Sequence, residues 1–503
     1  MRRGILVAIA CACLAGCWSS NPTAPLPPAH PAAAAGRSGV ELPEPPVVHA
    51  VGGVAQVSLV ADEDPATGQP EFDYDGMRGV VPTISVKPGE AIAVDLSNQL
   101  PNVPPPNAEG MADDVNLHFH GLGVSPKRPG DDVLRTLATP GGSVNYVVNV
   151  PREQLPGLYW YHPHVHGQTN FQVGDSGISG AIVIEGLERH LRGLAALKQR
   201  LIIVRATGIG DGDDLGPRKT NTNPCTTGDG LTVSLNGAVQ PIVPIAPGER
   251  QFFRVVNATG HKTLKLAVDG ESLELVAVDG FALDSYPGTP PTLKEASIVV
   301  PPAGRAEFVV TGPAGGHAQF RTLCYHSGPH GDPDPAMVLA TLEAPRSLRP
   351  AAFAKPALTV DEPLPQNAYT TALPPPAVTR SVVLSENAKH FLINGKVFRM
   401  RAPPMFVVHV GTVEEWHIVN TTEEMHDFHI HQTHFLVESI DGLKVAQPHW
   451  ADSVVVPHRR GSKPGEVVAL MDFRDPVIRG EFVFHCHILD HEDLGMMAKI
   501  RAI

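Results

Sequence analysis

Residues 82–98 read PTISVKPGEAIAVDLSN, and the same spacing of proline, glycine and asparagine returns twice further along the chain. The second copy, residues 241–257, reads PIVPIAPGERQFFRVVN, and the third, residues 404–420, reads PMFVVHVGTVEEWHIVN. Each copy predicts a strand, a turn at the glycine and a second strand with alternating apolar residues. The copies are separated by about the length of one small β-sandwich. We therefore predict an all-β chain of three domains, at residues 46–190, 198–345 and 375–503.

Composition and charge agree with this organisation. The chain has 503 residues, more than a single hydrophobic core usually organises. Its 50 prolines and 48 glycines are spread along the sequence, which favours many short strands and turns over long helices. The formal net charge of -13 argues against nucleic acid as a partner, because phosphate binding needs a basic face.

The run His485-Cys486-His487, followed by His491 and Met496, places two kinds of metal ligand on one predicted strand. Side chains at alternate positions of a strand share a face, so the two histidines point one way and the cysteine points the other. A thiolate, imidazoles and a weak axial thioether make up a blue-copper site. This segment supplies that set except for one imidazole, which has to come from elsewhere in the chain.

Three more histidine clusters lie upstream, at His118-Phe119-His120, His162-Pro163-His164 and His426-Asp427-Phe428-His429-Ile430-His431. Together the four clusters hold ten histidines, which matches the demand of four copper ions. One ion would take two histidines with the cysteine and the methionine, and the other eight histidines would be shared by three ions. The clusters resemble the four copper-binding motifs of the multicopper oxidases, the laccase-like family, in its bacterial three-domain form. The resemblance covers nearly the whole mature chain.

The resemblance implies that each domain is a cupredoxin-like Greek-key β-barrel or sandwich, and that the protein binds one type 1, one type 2 and two type 3 coppers. It assigns the type 1 copper to His426, Cys486 and His491, with Met496 as the axial ligand and Met497 as its local rival. The type 2 copper would take His118 and His429. One type 3 copper would take His120, His162 and His487, and the other His164, His431 and His485.

Reduction of O2 to water consumes protons, which carboxylates near the cluster would deliver. Glu492 follows His491 directly, and Asp131 stands where relatives carry an acid after the first motif. We predict that these two residues deliver the protons; the alternative is that both are ordinary solvated acids.

The middle domain is predicted to be copper-free and structural. The segment 157–164 matches 480–487 position by position, with Pro163 where the third domain has Cys486. In the middle domain the segment 261–266 reads HKTLKL, which we align with the third cluster, so that leucines replace the imidazoles. The trinuclear cluster is therefore expected between the first and third domains.

The N-terminus is typical of an export signal. Arg2 and Arg3 precede a short apolar run that ends in Leu14-Ala15-Gly16-Cys17, similar to a bacterial lipobox. We predict a lipoprotein-type signal at residues 1–17 and a periplasmic protein held at a membrane only by its lipid, with Ser19 favouring the outer membrane; a plain secretory signal is the alternative. Pro- and Ala-rich residues 18–45, and residues 346–374, are predicted linkers.

Two cysteines remain when Cys486 and the cysteines of the signal, which ends at Cys17, are excluded. Cys225 and Cys324 form an even pair in an oxidising compartment, which favours a disulfide, and two buried free thiols are the alternative.

The sequence features bear on four candidate functions. The first is a laccase-type oxidase that takes electrons from phenols or aromatic amines near His491 and passes them to O2, working as a monomer. The second is a metallo-oxidase of Cu(I), Fe(II) or Mn(II) with a role in copper tolerance; acids close to His491 in sequence support it, while the lack of a Met-rich segment weakens it. A scaffold without activity is disfavoured because no copper ligand is lost. A two-domain copper nitrite reductase is disfavoured by the third repeat.

Overall fold

The computed structural model describes residues 39–101, 113–208, 225, 228, 230–345 and 357–503. The predicted signal, the lipobox cysteine and residues 18–38 of the first linker lie outside the described residues, as do residues 346–356 of the second. Within the described part, no helix is long and apolar enough to cross a membrane.

The first domain consists of two sheets. Its strands are β1 (Val47–His49), β2 (Val54–Glu63), β3 (Pro70–Tyr74), β4 (Thr83–Val86), β5 (Ala91–Asn98), β6 (His118–His120), β7 (Ser143–Asn149), β8 (Gly157–His162) and β9 (Gly180–Ile184). One sheet has the order β1-β4-β9-β8-β6 and the other β3-β2-β5-β7. Alternate residues of β2 and β5, such as Val57 and Val94, fill the core between them.

The middle domain begins after β10 (Leu191–Arg192) and follows the same plan. Its strands are β11 (Lys198–Thr207), β12 (Thr232–Leu235), β13 (Ile242–Pro244), β14 (Arg250–Asn257), β15 (Leu264–Val268), β16 (Leu273–Val278), β17 (Phe281–Ala282), β18 (Leu293–Glu295), β19 (Ile298–Val300), β20 (Arg305–Thr311), β21 (His317–Leu323) and β22 (Met337–Glu343). One sheet runs β12-β11-β14-β20-β16-β17, with β18 on β16, and the other β13-β22-β21-β15-β19.

The third domain follows β23 (Thr359–Val360) and repeats the middle one strand for strand. Its strands are β24 (Val378–Glu386), β25 (Phe391–Ile393), β26 (Phe406–Val408), β27 (Thr412–Asn420), β28 (His426–Ile430), β29 (Phe435–Ile440), β30 (Leu443–Lys444), β31 (Trp450–Ala451), β32 (Ser453–Val456), β33 (Gly465–Phe473), β34 (Gly480–Cys486) and β35 (Met497–Ala502). The sheets run β25-β24-β27-β33-β29-β30, with β31 on β29, and β26-β35-β34-β28-β32. The predicted all-β class is confirmed.

Helices are short in the part of the chain that the structure describes. Its α-helices are α1 (Leu187–His190) and α2 (Leu489–Asp493), a π-helical segment spans Asn170–Asp175, and 3-10 turns occur at Leu194–Ala196, Leu283–Ser285, Ala368–Thr370 and Pro476–Ile478.

The repeated glycine and asparagine have a structural reason. The glycines of the three copies, Gly89, Gly248 and Gly411, have φ values of 88°, 76° and 93°, a backbone region that favours glycine. Each asparagine is buried and uses its amide to tie two strand-end carbonyls together. Asn98 Nδ2 donates to Asp113 O at 2.7 Å and Ala138 O at 2.8 Å. The corresponding amides of Asn257 and Asn420 do the same in the other two domains.

Those asparagine contacts correct our alignment of the middle domain. Asn257 and Asn420 bind the carbonyls of Val300 and Val456, and these valines pair with Leu264 and His426. Leu264 is therefore the structural equivalent of His426. The prediction that His261 is that equivalent is wrong. Leu264 lies seven positions after Asn257 and His426 lies six after Asn420, whereas His261 lies only four after Asn257, so matching the two histidines put the alignment three residues out.

The same register identifies the middle domain's other equivalents. Ala267 pairs with Arg321 as His429 pairs with His485, so Thr322 stands at the position of Cys486. These side chains do not form a copper site of the kind found in the third domain.

Parts of both predicted linkers pack against domains. Leu42 N donates to Ile242 O at 2.8 Å and Ile242 N donates to Val40 O, so this stretch pairs with the edge strand β13. In the second linker, β23 pairs with β10, and the buried ring of Tyr369 packs on Phe281 and Trp450. Proline-rich composition predicted free spacers here, but the few apolar side chains between the prolines find partners on the domains.

Cys225 and Cys324 are joined by a disulfide with their Cα atoms 5.3 Å apart. This bond ties residue 225 to the end of β21, and it decides between the two alternatives left open by the sequence.

Candidate metal centre

A first group of ligand atoms lies within the third domain. His426 begins β28, Cys486 ends β34 and His491 lies on α2, and all three side chains are fully buried. The Nδ1 atoms of the two histidines are 3.1 Å apart, and each is 3.7 Å from Cys486 Sγ. A trigonal ion with bonds of about 2.0 Å to nitrogen and about 2.3 Å to sulfur separates nitrogen from sulfur by about 3.7 Å. The donor set and its spacing fit copper.

The structure separates the two candidate methionines. Met496 belongs to the same buried cluster of side chains as Cys486, and Cys486 N donates to Met496 O at 3.0 Å. Met497 packs in a different cluster with Val133, Phe398 and Val483. Met496 is therefore the methionine beside this group.

Neighbouring side chains fix the orientation of the two imidazoles. Thr422 Oγ1 lies 3.0 Å from His426 Nε2, and the ring of Phe391 stacks on that of His491 at 3.9 Å. Both contacts leave Nδ1 facing Cys486. Burial raises the pKa of the Cys486 thiol well above its usual range, so the thiolate needs a cation beside it.

Two carboxylates lie at the other edge of His491. Glu424 Oε1 and Asp490 Oδ2 are each 3.8 Å from His491 Nε2, and both acids are buried. This Nε2 edge faces away from the sulfur, so the two acids surround the outer side of the imidazole.

A second group of ligand atoms lies between the first and third domains. The Nε2 atom of His485 is 3.3 Å from His164 Nε2 and 3.2 Å from His431 Nε2. An ion that holds nitrogens tetrahedrally at about 2.0–2.1 Å separates them by roughly 3.3 Å. These three nitrogens therefore fit around a single ion.

The remaining five cluster histidines surround the same cavity. The rings of His118 and His431 stack at 3.7 Å, and those of His120 and His429 stack at 3.9 Å, so that β6 faces β28 across the domain boundary. Each of the five has a buried ring nitrogen without a hydrogen-bond partner among the described residues: His118 Nε2, His120 Nδ1, His162 Nε2, His429 Nε2 and both nitrogens of His487. A buried imidazole nitrogen rarely lacks a hydrogen-bond partner. Metal ions bound among the five rings would account for all of these nitrogens.

Burial sets the protonation of these rings. It lowers the pKa of His118, His431 and His487 well below the ordinary value, and that of His164 and His429 to about 4. The rings are therefore neutral at pH 7, the state in which imidazole binds a metal.

The two predicted acids both touch cluster histidines. Asp131 Oδ2 lies 2.9 Å from His118 Nδ1, and Glu492 Oε2 lies 3.1 Å from His485 Nδ1. Burial raises the pKa of Asp131 to about 7. Burial also acts to raise the pKa of Glu492, but the adjacent His164 and His485 outweigh it and lower that pKa. Both acids are fully buried, so they are not ordinary solvated acids.

Sequence reasoning missed the residues that hold these acids and histidines. Gln432 Nε2 donates to Asp131, and Thr169 Oγ1 donates to Glu492 Oε1 at 3.1 Å. Asp452 Oδ1 is 3.2 Å from His120 Nε2, and Arg305 of the middle domain donates to Asp452. Gln432 directly follows the motif that ends at His431, and this position could have identified it from the sequence. Thr169, Asp452 and Arg305 lie outside the motifs, so the sequence gives no signal for them.

Comparison with known proteins agrees with this site. Three family models, each described as multicopper oxidase, match residues 75–189, 159–343 and 372–502. The chain belongs to the multicopper oxidase family. Its members are oxidoreductases that use copper and O2, so this protein is a copper-dependent enzyme.

Individual relatives are distant. The multicopper oxidase mco of Staphylococcus aureus is 27% identical over 425 residues, covering 84% of this chain and 81% of that protein. A laccase of Bacillus subtilis is 26% identical over 466 residues, covering 83% and 87% of the two chains.

Solved structures show the shared fold. The McoA multicopper oxidase of Aquifex aeolicus superposes with a TM-score of 0.68 at 21% identity, over 92% of this chain and 99% of that chain. A multicopper oxidase from Campylobacter jejuni, described as a metallo-oxidase, superposes with a TM-score of 0.68 at 22% identity, over 92% and 95%.

Proposed function

We propose that this multicopper oxidase binds four copper ions and couples four one-electron oxidations of a small reducing substrate to the reduction of O2 to two waters. The observation that carries the proposal is the placement of Cys486 between His485 and His487. The thiol lies in the first group of ligand atoms, with His426 and His491, while one flanking imidazole lies in the second group. Two metal sites are thus joined by a few covalent bonds.

We take the ligand sets from the family resemblance, and the close ligand atoms of two groups, His426 with Cys486 and His491 and His164 with His431 and His485, support two of them. His426, Cys486 and His491 would hold the type 1 ion, with Met496 beside them. His164, His431 and His485 would hold one type 3 ion, and His120, His162 and His487 the other. His118 and His429 would hold the type 2 ion. Copper bound in these sets supplies one-electron chemistry and a site at which O2 is reduced.

The chain's own residues supply protons and keep water out. Glu492 and Asp131 each bind a ring nitrogen of a cluster histidine, so protons move over hydrogen-bond distance to the cavity. Trp160 stacks on His162 at 4.2 Å and covers one face of that ring. Burial of every cluster histidine keeps the reaction out of bulk solvent.

For the electron donor we propose phenols or aromatic amines that pass electrons to the first group through the Nε2 edge of His491, which is itself buried. The laccases among the relatives support this class, since they align over most of the chain. The carboxylates of Glu424 and Asp490 beside that edge are suited to accept the proton that a phenol releases when it is oxidised.

A second donor class, a metal cation, is favoured by the same two carboxylates. Hard oxygen ligands suit divalent cations such as Mn(II), and two acids beside His491 Nε2 offer two of them. A solved structure of the same fold is described as a metallo-oxidase.

Parallel measurements of O2 uptake by the copper-loaded protein distinguish the two classes. A methoxyphenol, Cu(I), Fe(II) and Mn(II) are compared as donors at equal concentration. Faster uptake with the phenol by kcat/KM supports the first class, and uptake with the metal ions alone replaces it by the second. No uptake with any donor, at full copper content, contradicts the oxidase itself.

Replacing Glu424 with glutamine tests the role of the carboxylate. If a metal cation is the donor, kcat/KM for Fe(II) should fall about tenfold or more, because a charge about 4 Å from a bound cation is lost. The phenol rate should change far less. Glu423→Gln is the matched control, since Glu423 is half-buried and pairs with Arg459 at 2.8 Å instead. Equal losses for both donors in Glu424→Gln would show that Glu424 acts on His491 and not on the donor.

We also propose that the protein is exported and lipid-anchored at Cys17, on the strength of the sequence Leu14-Ala15-Gly16-Cys17. In the full-length protein, Cys17→Ala should shift the enzyme from the membrane fraction to the soluble or precursor fraction. A soluble wild-type enzyme would contradict lipidation and favour the plain secretory signal.

A further inference from the structure

Arg305 is a fully buried residue of the middle domain whose guanidinium reaches the edge of the histidine cavity. It begins β20, in the domain that holds none of the cluster histidines. Its Nη1 donates to Asp452 Oδ1 at 2.7 Å, and its Nη2 donates to Asp452 Oδ2, so the pair is bidentate. Such a fork fixes the plane of the carboxylate as well as its distance.

Asp452, which belongs to the third domain, connects Arg305 to the cluster histidines. Its Oδ1 lies 3.2 Å from His120 Nε2, and its main-chain oxygen lies 2.8 Å from His429 Nδ1. Its Oδ2 lies 3.5 Å from the ring nitrogen of His434. One aspartate therefore contacts a cluster histidine from the first domain and another from the third.

The surrounding backbone is built to admit this pair. Gly121, directly after His120, has a φ of 83°, and a Cβ there would lie 2.5 Å from Arg305 Nη2 and 2.7 Å from Asp452 Oδ2. Asp279 anchors both partners, because its carboxylate accepts from Arg305 N at 2.9 Å and from Asp452 N at 3.2 Å. Residues from all three domains thus meet at the Nε2 side of His120.

The contact decides which nitrogen of His120 faces the cavity. With Nε2 on Asp452, the free nitrogen of His120 is Nδ1, whereas His118 has Nδ1 on Asp131 and its free nitrogen is Nε2. We propose that Arg305 is a positioning residue for the copper cluster, which acts through Asp452 to hold His120 with Nδ1 toward the metal. The inference rests on the proposed four-copper function.

Arg305→Leu should weaken copper binding by the cluster or slow turnover about 10- to 100-fold, the usual effect of removing a partner that orients a metal-binding histidine. The readouts are copper per chain after dialysis against a chelator, and the paramagnetic resonance signal of the cluster copper. The blue absorption of the Cys486 site should be retained, because Arg305 does not contact His426, Cys486 or His491.

Arg254→Leu is the matched control. Arg254 is also a buried arginine of the middle domain, and it pairs with Glu307, whose carboxylate accepts from Leu158 N of the first domain. It therefore has a similar burial and interdomain position without a contact to a cluster histidine. Both variants should lose thermal stability, since each leaves a buried carboxylate unpaired. Arg305→Leu alone should lose cluster copper.

A double-mutant cycle tests the route through Asp452. Asp452→Asn should reproduce the copper loss, and Arg305→Leu combined with Asp452→Asn should lose no more than either single variant. Additive losses would overturn the proposed route. Arg305→Lys replaces the fork by a single ammonium and should lose several-fold in copper affinity, which keeps the test open if Arg305→Leu does not fold.

The outcomes separate this inference from the function on which it rests. Wild-type protein that binds no copper beyond the blue site would contradict the proposed cluster. A wild type with full copper, together with an Arg305→Leu variant whose copper content and resonance signal equal those of Arg254→Leu, would overturn the role of Arg305 alone.

Discussion

Replacing Cys486 with serine should abolish both the blue absorption and the uptake of O2 with every electron donor. Cys486 supplies the soft sulfur of the first group and is the covalent link between His485 and His487. A serine hydroxyl keeps the backbone path but not the thiolate. Absorption spectroscopy, O2 uptake and copper analysis measure the three consequences together. The cluster histidines are untouched, so copper in the second group should be retained.

Met496→Leu is the contrasting variant for this prediction. Leucine fills a buried methionine position at little cost in stability, and the axial ligand of a blue-copper site tunes its potential without holding the ion. Met496→Leu should therefore keep the blue absorption and the O2 uptake while raising the redox potential. Uptake that persists in Cys486→Ser, with any donor, would place electron entry at another site.

Much of the fold was predictable because its signals are local. The glycine of each repeat marks a turn with positive φ, and the asparagine ties two strand ends together by its amide, so both residues recur at fixed spacing. The four histidine motifs were readable for a similar reason. Paired ligands such as His118 and His120 are two positions apart, and this spacing is visible without knowledge of the third dimension.

What the sequence did not reveal depends on contacts between distant residues. Arg305 and Asp452 are 147 positions apart, and nothing near either residue indicates the other. The alignment of His261 with His426 was wrong because it matched residue type, and the middle domain keeps no imidazole at that strand position. The structure identifies Leu264 as the true counterpart through its pairing with Val300.

The packing of the two linkers also depends on contacts with distant residues, which the sequence does not reveal. Proline-rich composition predicted spacers, yet Leu42 binds the middle domain and Tyr369 packs against Trp450. Composition reports how a segment behaves alone, and a few apolar side chains suffice to dock it on a neighbouring domain.

The second large effect is expected at Glu492. Replacing it with glutamine should slow reduction of O2 about 10²- to 10⁴-fold, the usual contribution of a positioned acid–base group. Because the pKa of Glu492 is lowered, the group acts as a carboxylate that takes up a proton and passes it on. Glutamine keeps the size of the side chain and its capacity to accept from Thr169 Oγ1, but it cannot take up a proton and pass it on. The loss should therefore appear in the O2 half of the cycle and not in the donor half.

Rapid mixing separates the two halves. Anaerobic reduction of the blue site by a donor should proceed at the wild-type rate in Glu492→Gln, because Glu492 does not contact His426 or Cys486, whereas return of the blue absorption on addition of O2 should be slow. Thr169→Val should give a smaller effect. It removes the hydroxyl that lies 3.1 Å from Glu492 Oε1 but keeps the acid, so the rate of O2 reduction should fall only several-fold. If donor reduction slowed equally in Glu492→Gln, the acid would be supporting the structure around α2. Asp131, which binds His118 on the opposite side of the cavity, would then be the remaining candidate for the proton donor.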